Sequence, residues 1–201
     1  MEPDIPRGRP LRSDAQANRE ALIQAAAICF EREGLSVALE KIISKAGVGR
    51  GTFYRHFNDR TDLLVAVLNN EMDPLADAIA PDMSLPQAIE AICLVGSRLS
   101  ALVRRVSSDF AGLEPRPELF AIGKRFERML EPGLERSRAA GEISQSTTIE
   151  TAALAAQMVN HALLPNLSDE EKRVSISRGL AIVMNGLKPR SRRKDDHSRP
   201  V

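Results

Sequence analysis

From Leu22 to Leu187 the apolar residues recur at steps of three and four, and no segment shows the period-two alternation of a half-buried strand. A chain patterned this way can build a core only by laying helix on helix, so the fold class is all-α. The first helical segment runs from about Asp14 to Glu33, with Leu22, Ala26, Cys29 and Phe30 on one side and Gly34 placed to stop it. A short second segment, about Ala38–Lys45, carries Leu39, Ile42, Ile43 and Ala46. After Gly47 a third spans about Arg50–Phe57, and Asn58 or Asp59 caps a fourth bearing Leu63, Leu64, Val67 and Leu68.

Beyond Pro74 the helix starts are marked by capping boxes at Ser84–Gln87, Thr147–Glu150 and Ser168–Glu171. In each, a hydroxyl accepts from an orphan backbone N–H and the acid or amide three residues on returns a bond. Leu85, Ile89, Ile92, Gly96, Leu99, Val103 and Val106 form one stripe. A helix from about Glu118 to Ala140 contains Pro132, which is expected to kink it, and Gly141 to end it. An alanine-rich segment covers Thr148–Leu164, and the last helix shows Ile176, Leu180, Val183 and Leu187. The organisation expected is a flexible basic arm (1–13), a helix-turn-helix domain (14–60), a larger helical domain (61–187) and a disordered basic tail (188–201).

Hydrophobic residues make up 43% of the chain and charged ones 27%, the balance of a soluble globular protein. No apolar run reaches membrane-spanning length and the N-terminus lacks the apolar stretch of a signal peptide, so a cytoplasmic location without membrane contact is expected. Cys29 and Cys93 sit in apolar helical surroundings and are expected to be buried thiols rather than a disulfide or metal site. The net charge of +1 is unevenly spread. Residues 1–60 hold ten basic against eight acidic side chains, 61–187 twelve against seventeen, and 188–201 six against two. Basic ends around an acidic middle permit a polyanionic partner for the N-terminal part.

The densest stretch is AGVGRGTFYRHF, Ala46–Phe57, which gathers three of the seven aromatic residues, three glycines and two arginines. On a helical wheel Phe53 and Phe57 fall on one side, while Gly51, Thr52, Tyr54 and Arg55 spread over the other, His56 flanks them and Arg50 stands at the start. So short a helix is unstable alone and must be held by the one before it, through Ile42, Ala46 and Val48. Gly47 suits the left-handed position of a tight turn, and Gly49 and Gly51 keep the helix start slim enough for another backbone to approach. These are the properties of a helix-turn-helix whose second helix enters the major groove of double-stranded DNA. Arg50 matches the guanine O6/N7 edge; Thr52, Tyr54 and Arg55 suit phosphates or thymine methyls; His56 and Arg60 suit phosphates. An ordinary helical hairpin is the competing explanation of the same spacing.

The run ALEKIISKAGVGRGTFYRHFNDRTDLL, Ala38–Leu64, resembles the DNA-binding signature of TetR-family transcriptional regulators. The resemblance implies three N-terminal helices that read DNA, followed by helices forming a dimer interface and a ligand pocket, with a small-molecule effector releasing the protein from its operator. It assigns the turn to Gly47 and DNA contacts to Arg50, Gly51, Thr52, Tyr54, Arg55, His56 and Arg60; Lys45 and Gly49 are expected DNA contacts beside them. One position departs: where many members have Thr or Ser capping the second helix, this chain has Ala38. Either Ser36 takes over the cap or one phosphate contact is missing.

Two-fold pairing would set two recognition helices one DNA turn apart, and a homodimer through the last two long helices is expected. The motive is the small residues Ala152, Ala153, Ala155 and Ala156 and the stripe Ile176, Leu180, Val183 and Leu187, which serve equally well in the chain's own core. Candidate pocket residues are Phe110, Phe120, Phe126, Met129, Met158 and His161, each also explicable as core. Pro132 is a candidate moving part in the ligand response. No phosphate-binding loop, nucleophile elbow, dinucleotide fingerprint or metal-spaced His/Cys set occurs, so neither enzymatic activity, cofactor nor metal is expected. The alternative function is non-specific or architectural DNA binding, favoured by Arg7, Arg9, Arg12, Arg190, Arg192, Arg193 and Lys194 and opposed by the acidic middle.

Overall fold

The computed structural model describes residues 11–110, 116–163 and 167–189, with side chains except at 11–13, 107, 108 and 110. Arg7, Arg9 and the tail basic residues from Arg190 on lie outside the described residues, as do Leu164 and the side chains of Arg12 and Phe110. Among the described residues there are nine α-helices and no strand: α1 (Leu11–Glu33), α2 (Leu39–Ala46), α3 (Arg50–His56), α4 (Arg60–Ala78), α5 (Leu85–Val95), α6 (Ser97–Phe110), α7 (Pro117–Ala139), α8 (Ile149–His161) and α9 (Asp169–Leu187). None is by itself long and apolar enough to cross a membrane. Helix α1 begins at Leu11, within the stretch read as a flexible arm.

The chain divides into two compact units. One unit takes the chain through Ala76 together with Gly96–Lys124; the other takes Asp77–Val95 and the chain from Arg125 on. The core of the first unit is built from Leu22, Phe30, Ile42, Phe53, Phe57, Leu63, Leu64 and Val67, and is completed by Leu102 and Val106 of α6, with Leu119 and Ile122 of α7 packed against it. The α1–α2 turn is held from two sides. The Asp109 carboxylate of α6 accepts from Leu35 N at 2.8 Å, and the Arg60 guanidinium donates to the Leu35 carbonyl.

The expected single stripe from Leu85 to Val106 is broken at Gly96 into α5 and α6. Its two halves serve different cores: Leu85, Ile89 and Ile92 are buried in the second unit, Leu102 and Val106 in the first. Glycine is the residue that most readily allows such a break. In the second unit α5, α8 and α9 pack together. A methyl added at Gly179 would lie 3.3 Å from Val159 Cγ1, and one at Gly133, next to Pro132, would lie 3.2 Å from the Leu85 backbone nitrogen. These two glycines set how closely α9 meets α8 and α7 meets the start of α5.

Helix starts follow their caps with one shift. At α9 both bonds of the Ser168–Glu171 box form. The Ser168 hydroxyl also donates to the Glu171 carboxylate, and this bond first, with that from the Ser168 N–H second, holds the Glu171 carboxyl below the usual range. Before α8 the capping hydroxyl is Thr148, accepting from Thr151 N at 3.3 Å, while Thr147 is buried. The cap therefore sits one residue later than the box read at Thr147–Glu150. At Ser84 only the return bond is seen, from Ser84 N to Gln87 Oε1 at 2.8 Å; Leu85 N instead donates to the buried Ser137 hydroxyl at 3.0 Å. Cys29 and Cys93 are free and buried, and burial pushes the Cys93 thiol up to about 12.

Candidate nucleic-acid interface

Helices α2 and α3 stand on the first core through Ile42, Ile43, Phe53 and Phe57. Gly47 between them has φ 69°, the left-handed conformation that side chains resist, and its N–H closes the end of α2. Phe53 is wholly buried and lies edge-on to Tyr54 and 5.9 Å from Phe57 between ring centroids. Phe57 is not the last helical residue expected of it: it is the C-cap of α3, extended at φ −139°, yet still buried. The Arg19 guanidinium of α1 covers its ring at 5.3 Å. A seven-residue helix is thereby fixed by two phenyl rings and a cation rather than by its own hydrogen bonds.

The opposite side of α3 is open. Lys45, Gly49, Arg50, Gly51, Tyr54 and Arg55 are exposed and Thr52 is half-buried. A Cβ placed at Gly49 or Gly51 would meet nothing within 4 Å. Arg50 lies 5.9 Å from the Tyr54 ring and 3.4 Å from the Glu40 carboxylate of α2. A hydrogen bond to the Tyr54 oxygen, and then the charge of Glu40, favour the ionised guanidinium.

Two of the predicted contact residues are less open. Arg60 is partly buried, bound to the Leu35 carbonyl. His56 is half-buried and lines an open cleft of about 390 Å³ with Arg19, Phe57, Asp62 and Asn69. The start of α4 is capped by Asp59, whose carboxylate accepts from Asp62 N at 2.9 Å, while Asn58 donates back to Asp62. Burial acts to raise the Asp59 pKa, but the Asp62 N–H and the Arg116 guanidinium, 2.7 Å away, outweigh it and hold the carboxyl below its ordinary range.

Helix α2 has no side-chain cap at Ala38, and the Ser36 hydroxyl donates back to the Glu33 carbonyl at 3.4 Å, so Ser36 does not replace the missing cap. Glu40, Arg19 and Asp109 were not singled out by sequence. Glu40 lies on the same wheel face as other exposed α2 residues, and no local pattern marks a partner as distant as Asp109.

The pocket candidates are divided between the two units. Phe120 belongs to the first unit and is 69% exposed; Phe126, Met129, Met158 and His161 belong to the second. Phe126 and Met129 are half-buried, Met158 is 56% exposed, and His161 is exposed with Nδ1 2.8 Å from the Gln157 carbonyl of its own helix. The expectation of a core histidine fails because residue 161 lies on the outer face of the last turn of α8. The intended dimer stripes also turn inward: Ala152, Ala153, Ala155, Ala156, Ile176 and Leu180 are buried within the unit.

The profile of the bacterial regulatory proteins of the tetR family matches residues 22–67, the segment from α1 through α3 into α4. HTH-type transcriptional regulator SrpR of Pseudomonas putida is 38% identical over 85 residues, which cover 42% of this chain and 40% of SrpR. The chain spans less than two thirds of the length of the curated relatives it matches. Among solved structures, a TetR-family regulator from Rhodococcus sp. superposes with a TM-score of 0.65 at 22% identity, covering 83% of this chain and 98% of that one. The flavonoid-responsive regulator FrrA gives a TM-score of 0.56 at 21% identity over 88% of this chain and all of its own. The local match falls on the helices that carry the open face of α3, and the fold is shared far beyond it; residues 22–67 carry the N-terminal segment of the tetR family of bacterial regulatory proteins.

Proposed function

We propose that the protein is a transcriptional regulator that binds a specific palindromic DNA operator as a homodimer and acts as a repressor released by a small-molecule effector. The observation that carries the DNA-binding reading is the two-sidedness of α3, with Phe53 buried and Arg50, Gly51, Tyr54 and Arg55 presented outward. Inserted in the major groove, that face brings Arg50 to a guanine edge and the Tyr54 hydroxyl and Arg55 to the backbone. The bare backbone at Gly49 and Gly51 lets phosphate oxygens reach N–H groups. Lys45, Thr52 and the remaining donors of Arg60 act on phosphates at the margin, with His56 beside them.

One reading head contacts one half-site, and pairing supplies the second. The outward side of α8 and α9 supports it: Leu154, Met158 and Ile182 are large, apolar and more than half exposed. The dimer thus uses the two helices expected of it, but through the face opposite the alanines. FrrA's description as flavonoid-responsive supports effector release in a protein of this fold. A coupling of about 1–3 kcal/mol between sites changes operator affinity 5–150-fold. Among the pocket candidates Phe126 and Met129 are half-buried, which suits contact with an apolar effector. The test is selection of bound fragments from the source genome: the reading requires enriched sequences with two-fold symmetry and half-sites one helical turn apart. Enrichment of unrelated fragments would support architectural binding instead.

A further inference from the structure

The open face of the helix-turn-helix contains one carboxylate that its chemistry does not invite. Glu40, in the first turn of α2, is two-thirds exposed, and its Oε1 lies 3.4 Å from Nη1 of the equally exposed Arg50. Stability does not account for the pair, since an ion pair this exposed to water contributes little. Toward DNA the acid is a liability, because phosphates offer no donor and repel it. The major groove does offer donors, and a carboxylate accepts from the cytosine N4 amine.

Glu40 and Arg50 stand side by side on the open face, their charged ends within ion-pair distance, so the two side chains can reach neighbouring base pairs. With the Arg50 fork on guanine O6 and N7, the Glu40 carboxylate reaches the neighbouring pair. We infer that Glu40 is a specificity-determining residue that selects cytosine at the base pair adjacent to the guanine read by Arg50. In the free protein the two side chains neutralise one another; on the operator each exchanges its partner for a base edge. Facing guanine or thymine Glu40 meets an acceptor, and facing adenine an N6 amine beside the N7 acceptor, so the same group that favours the operator weakens binding to most other duplexes.

This inference rests on the DNA-binding reading, and the experiment separates the two. Full-length wild type, Glu40→Gln and Arg50→Ala are titrated at fixed salt against duplexes carrying each of the four base pairs beside the selected guanine. Thermal unfolding confirms that the variants fold, as the exposure of both residues leads one to expect. Wild type should prefer cytosine by about tenfold. Glu40→Gln should lose that preference while keeping the guanine preference, and should bind random duplex more tightly. Uniform tightening of Glu40→Gln over all four pairs, or loss of the guanine preference alone, would overturn the assignment. A wild type without preference at any position would instead remove the regulator reading beneath it.

Discussion

Replacing Gly51 by alanine separates what the recognition helix needs for folding from what it needs for binding. Gly51 is the second residue of α3, is exposed, and has open space where a Cβ would stand. Among the described glycines positive φ occurs at Gly34, Gly47 and Gly141, not at Gly51. The methyl therefore meets no neighbour and no backbone strain, and alanine removes the entropic cost of glycine in a helix, about 0.5–1 kcal/mol. For a chain of this size that raises the unfolding midpoint by about 1–4 °C. On DNA the sign reverses. If the bare backbone exists so that a phosphate can close on it, the methyl intrudes into a packed interface and costs about 1–3 kcal/mol. Operator affinity then falls about 5- to 150-fold. The assay pairs thermal unfolding of free protein with fluorescence anisotropy on the selected duplex. A stabilised variant that binds as tightly as wild type would refute the close-approach argument, because nothing else in the fold calls for glycine at 51.

Tyr54→Phe keeps the ring against Phe53 but removes the hydroxyl, so titration should show binding about 0.5–1.5 kcal/mol weaker on every duplex, with unfolding unchanged. Asp59 has a depressed carboxyl pKa in the folded chain, so its stabilisation is present above about pH 4 and is lost as pH falls through the folded value. Asp59→Asn should lower stability at pH 7 and flatten the acid limb of the stability–pH curve, as read by denaturant titration. Ile182, 74% exposed on α9, should be essential to pairing: Ile182→Asp is expected to give a folded monomer in sedimentation at micromolar concentration, whereas an unchanged dimer would move the interface elsewhere.

What could be read from residues alone was whatever is settled by near neighbours. Spacing marked the buried Phe53 and Phe57 and the open face between them, and one left-handed glycine, Gly47, announced the turn. Capping chemistry placed the start of α9 correctly because Ser168 and Glu171 satisfy each other without outside help. Thr147 and Thr148 are equally good caps by type, and only the burial of the former decides between them. The break at Gly96 was invisible for a related reason: one helical period describes a stripe equally well whether it feeds one core or two. Wheel geometry likewise reports that Ala152 or Leu180 faces something apolar, not whether that something belongs to the same chain. Arg60 and Asp109 meet the α1–α2 turn from elements 25 and 74 positions away, distances at which no periodicity carries information. Such contacts decided which basic residues stay free for a partner.

The central claim is that the outward side of α3 reads base sequence. Its most direct measurement is the ratio of affinities for the selected duplex and for a scrambled duplex of equal length and composition, taken at one salt concentration. The account predicts a preference of about 10³ or more for the selected sequence, collapsing toward unity when Arg50 and Tyr54 are both replaced by alanine in a protein that remains folded. Equal affinity of the wild type for both duplexes would contradict it.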